Sequence, residues 1–211
     1  MKRILLMVFR NFLLVPFAWC RLCYHASHTE KYSDEEQYAL LKYITLRANR
    51  GGNVTIDVHG SENIPKKMDL CFFPNHQGLY DVLAIIEATP CPFFCSSEKK
   101  RLQIYRFLKQ VFACMKAYML DREDVRQAMQ VIIDVTNEVK KRKKLPDLCR
   151  RDTVGKTAIS FGSFKGGSFK SATKAKCPIV PVALLNAYKP FDTNTIAPVT
   201  VQVQFSQTHV L

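Results

Sequence analysis

The chain has 211 residues, a hydrophobic content of 47% and a formal net charge of +13. The length predicts one domain with a substantial core, and the hydrophobic content excludes a disordered chain. The positive charge favours an anionic partner: a phospholipid surface, a phosphorylated substrate or a nucleic acid.

The N-terminal residues 4–20 are apolar except for Arg10 and Asn11. A membrane-spanning helix needs about 20 apolar residues, and this stretch contains Pro16 and would bury Arg10 at a cost of roughly 2.5–3.5 kcal/mol. It also lacks a small-residue cleavage site. We therefore predict a helix lying in the membrane interface with Trp19 and Tyr24 as anchors; the alternative is an ordinary core helix.

A capping box at residues 33–36 begins a second helix that we expect to run to about Asn49, because Gly51 and Gly52 follow it.

Eight cysteines lie mostly in apolar runs, which predicts free thiols and a reducing compartment. The Cys20-x-x-Cys23 pair lacks a second cysteine pair and the histidine cluster of a zinc site, so we expect no metal.

A short apolar run at residues 70–73 stops at Pro74, where a central strand should end. His76 follows, and Asp81 opens a second apolar run that predicts a helix. A turn between them would let the Asp81 carboxylate fix the tautomer of His76 and stabilise its imidazolium. A His–Asp pair without a nucleophilic Ser or Cys suits a reaction in which the hydroxyl of the substrate attacks. The alternative is a surface loop with a chance histidine.

The second half alternates predicted strands and helices. We expect strands at 54–58, 90–95, 179–184 and 199–205, and Pro181 predicts an edge or a bulge. Residues 97–116 alternate basic and apolar side chains, which suits either a lipid-facing or a solvated surface. Helices are predicted at about 123–140 and 168–176. In the first of these the predicted inward side chains are Val125, Met129, Ile132, Thr136 and Val139.

Arg122 lies in the predicted turn before the 123–140 helix. A guanidinium there suits either a salt bridge to Asp121 or Glu123, which the residues alone favour, or a phosphate ligand held through two parallel hydrogen bonds.

Four stretches together resemble the glycerolipid acyltransferases, the 1-acyl-sn-glycerol-3-phosphate acyltransferase family. Asn-His-x4-Asp at residues 75–81 resembles the first motif block, and residues 117–122 resemble the second. Residues 164–170 resemble the stretch after the third block, and residues 177–182 resemble the fourth. The matches follow the family order from about Val54 to Phe205.

The resemblance implies an α/β fold: a mostly parallel mixed sheet flanked by helices at residues 51–211, after a membrane-interfacial helical pair at 1–50. It implies acyl transfer from acyl-CoA or acyl carrier protein to lysophosphatidic acid, or to glycerol 3-phosphate, at the cytoplasmic membrane face, without a cofactor. His76 would deprotonate the acceptor hydroxyl and Asp81 would orient His76. The substrate would contact Asn75, Gly78, Arg122 and Lys165, with the backbone near Gly78 or the third block stabilising the oxyanion.

Residues 140–163 depart from the family pattern, which has a strand ending in Phe-Pro-Glu-Gly-Thr-Arg. The chain has Leu-Pro-Asp-Leu-Cys-Arg-Arg-Asp-Thr-Val-Gly at 145–155. Codons for that peptide can be chosen so that starting one nucleotide later gives Tyr-Leu-Ile-Phe-Ala-Glu-Gly-Thr-Arg-Ser. We hypothesise a frameshift near 140–144 that is corrected before Phe164; the alternative is a divergent basic loop. The chain ends at Leu211, sooner than in most members, so we expect a shifted or truncated C-terminus.

Two other function classes remain open. One is a catalytically impaired homologue that binds a membrane surface, because one wall of the phosphate site is missing. The other is a basic nucleic-acid binder. Residues 140–156 carry five Lys and three Arg against two Asp, which is +6 of the +13. The charge outside this segment is therefore modest, and no nucleic-acid recognition motif is present.

Overall fold

The helices and strands follow the alternating pattern that the sequence predicts. The structure is a computed structural model that describes residues 2–65, 70–75, 77–92, 94–98, 106–120, 124–141, 147–148 and 169–209. The helices are α1 (Lys2–Arg10), α2 (Val15–Ser27), α3 (Asp34–Gly51), α4 (Asp81–Ala88), α5 (Arg106–Cys114), α6 (Val125–Lys141), α7 (Lys170–Ala175) and α8 (Lys189–Asp192). The strands are β1 (Val54–His59), β2 (Cys71–Pro74), β3 (Phe94–Glu98), β4 (Tyr118–Leu120), β5 (Asp147–Leu148), β6 (Ile179–Leu185) and β7 (Val199–Phe205).

The strands form one mixed sheet in the order β1-β7-β6-β2-β5-β3-β4. Neighbouring strands run parallel except β6 and β7, which are antiparallel. The predicted mostly parallel mixed sheet flanked by helices is therefore confirmed. Because β2 and β6 are parallel neighbours, the loops that follow them leave the sheet at the same edge.

Both faces of the sheet are covered. Phe72 of β2 is fully buried in a core that includes Tyr80, Ile85 and Phe205, whereas its neighbour Phe73 belongs to a second core with Val131 of α6. Successive side chains of a strand point to opposite faces, so these two cores lie on opposite sides of the sheet. A strand buried on both faces is a rigid support for a site at its end.

The capping box of α3 is confirmed. The Glu36 backbone N–H donates to the Ser33 hydroxyl over 3.1 Å, and the Ser33 N–H donates to the Glu36 carboxylate over 2.8 Å. The helix ends at Gly51, two residues beyond the predicted end. Tyr38 and Leu41 are buried, as the predicted face requires.

The predicted single helix at residues 4–20 was wrong, because this stretch forms two helices that meet at 99°. Asn11 lies in the break and donates to the carbonyls of Met7 and Arg47 over 2.8 and 3.1 Å. Pro16 is in the first turn of α2, where its missing N–H costs least. In the described part of the chain no single helix is long and apolar enough to cross a membrane, although α1 and α2 together have the necessary length and composition.

Two other expectations were wrong in detail. The predicted strand at 90–95 begins later, at Phe94, because Pro90 and Pro92 cannot donate to a sheet. On α6 the predicted inward residue Thr136 is buried, but Met129 is 59% exposed, and Val131 and Val135 are buried instead. The buried face of α6 is therefore rotated in part from the predicted one.

Pro181 does not mark an edge, because β6 is a central strand. Its missing N–H falls where the antiparallel pairing with the chain after β7 is interrupted: Val182 pairs with Phe205, and the next bridge joins Ile179 to His209. The three residue steps from Val182 to Ile179 on β6 therefore lie opposite four steps, from Phe205 to His209, on the partner segment. One extra residue on one side of an antiparallel pair is a β-bulge.

Candidate active site

The loop after β2 closes on the carboxylate of Asp81. Asp81 is the first residue of α4 and is 4% exposed. Its carboxylate accepts hydrogen bonds from the backbone N–H of Gln77 over 2.8 Å and from that of Gly78 over 3.0 Å. The chain between β2 and α4 is thus folded into a tight turn around a buried acid, and the residue directly before this turn is His76.

Asn75 fastens the start of this loop to β6. Its side-chain N–H donates to the Leu184 carbonyl over 2.9 Å, and its side-chain oxygen accepts from the Leu184 N–H over 2.6 Å. The Asn75 backbone N–H also donates to Val182 over 3.3 Å. The carboxamide thereby extends the pairing of β2 with β6 by one more residue beyond Pro74.

Gln77 and Tyr80 also hold the loop, and the sequence analysis missed both. The Gln77 side-chain oxygen accepts from the Ala187 N–H over 2.9 Å. The Tyr80 hydroxyl is fully buried and donates to the Asn49 side chain of α3 over 2.6 Å, and burial raises the pKa of Tyr80. No pattern in the sequence distinguishes these two side chains, because the partner of Gln77 lies 110 positions away and that of Tyr80 lies 31 positions away.

Gly78 faces α8. A methyl group in place of its hydrogen would lie 3.5 Å from the Asp192 carboxylate and 3.5 Å from the Tyr188 Cα, which is ordinary contact. Its N–H, one of the predicted oxyanion donors, is directed at Asp81. In this conformation an oxyanion would have to compete with the Asp81 carboxylate for the hydrogen bond from the Gly78 N–H.

The structure thus brings together Asn75, Gly78 and Asp81. The predicted base His76 and the predicted phosphate ligands Arg122 and Lys165 lie outside the described residues, so their roles stay predictions. The strand before Arg122 is β4, which runs parallel to β3 in the same sheet as β2. In open α/β sheets, ligands bind beyond the carboxyl ends of such strands.

Comparison with known proteins agrees with this arrangement. A family model described as Acyltransferase matches residues 55–185, which is more than half of the chain and includes the loop, its helix and both supporting strands. The chain belongs to the acyltransferase family. No group of three or more metal-binding side chains occurs among the described residues of this acyltransferase.

Two relatives carry the same name. The 1-acyl-sn-glycerol-3-phosphate acyltransferase of Borreliella burgdorferi is 30% identical over 145 residues, covering 68% of this chain and 56% of the relative. That of Saccharomyces cerevisiae is 32% identical over 135 residues, covering 62% of this chain and 43% of the relative. The acyltransferase chain therefore spans about half of the length of the curated relatives it matches.

A solved structure shares the fold. The crystal structure of the 1-acyl-sn-glycerophosphate (LPA) acyltransferase PlsC from Thermotoga maritima superimposes with a TM-score of 0.72 at 16% identity. The match covers 99% of this acyltransferase and 86% of the PlsC chain. It therefore includes the three N-terminal helices as well as the sheet.

Proposed function

We propose that this acyltransferase moves an acyl group from an acyl thioester, acyl-CoA or acyl carrier protein, to the free hydroxyl of lysophosphatidic acid, giving phosphatidic acid. The observation that carries the proposal is the buried Asp81 carboxylate, which gathers the two N–H groups that follow His76 in the chain. The names of the two relatives support the choice of lysophosphatidic acid as the acceptor.

The proposed mechanism is general base catalysis. His76 takes the proton of the acceptor hydroxyl while its oxygen attacks the thioester carbonyl, and Asp81 stabilises the imidazolium. The tetrahedral intermediate collapses with loss of the thiolate, which takes the proton back from His76. The acyl group has then moved from sulfur to oxygen, and a free thiol is released. Such proton transfer contributes about 10²–10⁴-fold to a rate.

Binding of the acceptor phosphate is assigned to Arg122 and Lys165. A guanidinium gives two parallel hydrogen bonds to phosphate and an ammonium adds a point charge. No cofactor or metal takes part in the proposed reaction.

Membrane association at the cytoplasmic face is part of the proposal. On α1 and the break after it, apolar side chains face outward: Phe9 is 75% exposed and Leu13 is 81% exposed. Two of the basic side chains of α1 bond to the protein: Arg3 is fully buried, and the exposed Arg10 donates to the Asn53 side chain over 2.6 Å. An exposed apolar surface with inward polar groups suits a helix lying in a membrane interface.

The mechanism is tested by measuring thiol release from acyl-CoA in the presence of lysophosphatidic acid. We expect His76→Ala to abolish transfer in a protein with the third motif block restored. The matched control is His59→Ala, since His59 is half exposed and pairs with Asp57 on the surface. Turnover of the His76→Ala protein near that of the control would refute the mechanism.

The alternative is a catalytically impaired homologue that binds membranes, and the altered segment at 140–163 favours it for the chain as it stands. Such a protein would sediment with anionic vesicles and release no thiol. The proposed enzyme would sediment with the vesicles and also release thiol.

A further inference from the structure

A cavity lined by several polar side chains lies beside α8. Its volume is about 440 Å³, and it is bounded by α1, α8 and the chain that leads into β7. No Asp or Glu is among the described residues that line it. Its polar lining side chains are Arg3, Asn186, Lys189, Thr193, Thr195 and Thr200.

Arg3 is the most unusual of these side chains because it is a fully buried cation. Its guanidinium donates to the carbonyls of Gly52, Asn53 and Ala197, the last over 2.8 Å, and its Nε has no partner. Within the described residues it pairs with no carboxylate. Burial lowers the pKa of this guanidinium.

Buried charges in proteins are normally paired with an opposite charge. The neutral carbonyls around Arg3 accept its hydrogen bonds and leave its positive charge uncompensated. The adjoining cavity adds a second cation, the half-buried Lys189, and no lining acid that the structure describes. The cavity therefore has a positive potential that an anion would satisfy.

The other lining groups favour an anion with several oxygen atoms. The Thr195 hydroxyl accepts from the Ala197 N–H over 3.1 Å, which leaves its hydrogen available to a ligand. Hydroxyl and ammonium donors around a tetrahedral anion are the usual surroundings of a bound phosphate. A carboxylate has only two oxygens and would leave part of this donor set unused.

We propose that this cavity binds a phosphate monoester at a site separate from the catalytic loop. It is defined by a different set of residues from Arg122 and Lys165, and it does not depend on the proposed acyl transfer. A membrane lipid is one source of the phosphate, because the apolar residues Leu5 and Ile196, 67% and 49% exposed, lie beside the lining residues in the chain. A soluble phosphate is the other source.

The site is adjacent to the catalytic loop through α8. Tyr188 and Asp192 face Gly78, and the next residues in the chain, Lys189 and Thr193, line the cavity. A ligand that orders α8 would therefore also order the surface against which Gly78 packs.

Binding is measured with the full chain at 0.15 M salt in two arms. In the first, inorganic phosphate is titrated by calorimetry. In the second, the protein is sedimented with phosphatidylcholine vesicles that contain either phosphatidate, a monoester, or phosphatidylglycerol, a diester. The variants are Lys189→Gln, Thr195→Val and the control Lys174→Gln, which removes one charge from an exposed position on α7.

We expect Lys189→Gln to weaken binding about fivefold, the effect of one near-surface charge, and Thr195→Val to weaken it as well, with Lys174→Gln unchanged. The loss should persist when Arg122 is changed to Gln, which separates this cavity from the catalytic phosphate site. Dependence on Lys189 in the calorimetric arm would identify a soluble phosphate as a ligand, and dependence confined to phosphatidate vesicles would identify a lipid. Equal losses in the Lys189 and Lys174 variants would overturn the proposal. So would the absence of phosphate binding in the calorimetric arm together with equal sedimentation with phosphatidate and phosphatidylglycerol vesicles.

Discussion

Asn75 shows at the scale of one residue how the candidate site is held in place. Its carboxamide makes both a donor and an acceptor bond to the backbone of Leu184, and so acts as one more peptide unit between β2 and β6. The resemblance to the first motif block placed Asn75 among the substrate ligands. The observed bonds favour a positioning role for Asn75, in which the side chain fixes where the loop leaves the sheet.

We therefore predict that Asn75→Ala lowers the free energy of unfolding by about 1–3 kcal/mol, since it leaves the N–H and the carbonyl of Leu184 without partners. The measurement is urea unfolding, with Asn194→Ala, an exposed asparagine, as the control. We also expect kcat to fall more than KM rises, because a displaced loop misplaces the base. An increase in KM with unchanged unfolding would instead support direct substrate binding by Asn75.

At the scale of single elements, the sequence predicted what local chemistry decides. Three features depend only on residues that are close together in the chain: the capping box of α3, the alternation of apolar and polar residues in the sequences of β1 and β7, and the acid in the first turn of α4. The errors lie where distant parts of the chain decide. The break after Arg10 depends on Asn11 reaching Arg47, and the rotation of α6 depends on Val131 and Val135 meeting a core that includes Cys71.

The same limit applies to the site. The sequence identified Asp81 through its place at a helix start, but Gln77 and Tyr80 could be found only when the fold brought their partners to them.

The helix α1 is unusual as an element because its apolar face is the exposed one. We predict that Phe9→Asp together with Leu13→Asp reduces sedimentation with anionic vesicles at least tenfold, since burying two charges in the apolar part of the interface is unfavourable. Circular dichroism should show that the fold is retained, because both side chains are largely exposed. The control is Met129→Asp on α6, a similarly exposed apolar residue; equal losses in control and variant would argue against a docking role for α1.

At the scale of the whole molecule, one inner strand of the sheet carries an acidic residue. β5, described at Asp147 and Leu148, lies between β2 and β3 and pairs with both. Central strands of parallel sheets are normally continuous apolar runs, and Asp is disfavoured in strands. A sequence under selection for this fold would not be expected to place an aspartate there.

The hypothesised frameshift bears on this aspartate. With the codons chosen above, reading one nucleotide later gives Ile at position 147 and Phe at position 148, then Ala and the Glu-Gly-Thr-Arg of the third motif block. One change of frame would therefore supply both an apolar central strand and the missing wall of the phosphate site.

We predict that sequencing the DNA that encodes residues 140–164 finds a one-base difference that restores this run. The protein translated from the corrected frame should have a higher midpoint of thermal unfolding and should transfer acyl groups, whereas the chain as it stands should bind vesicles and release little thiol. Changing the restored arginine of Glu-Gly-Thr-Arg to Ala is the control: the gain in stability should remain, because it comes from the strand, and KM for lysophosphatidic acid should rise. If the DNA confirms the frame as written and the unaltered chain transfers acyl groups at a normal rate, residues 140–163 are a divergent loop and the third block is dispensable in this acyltransferase.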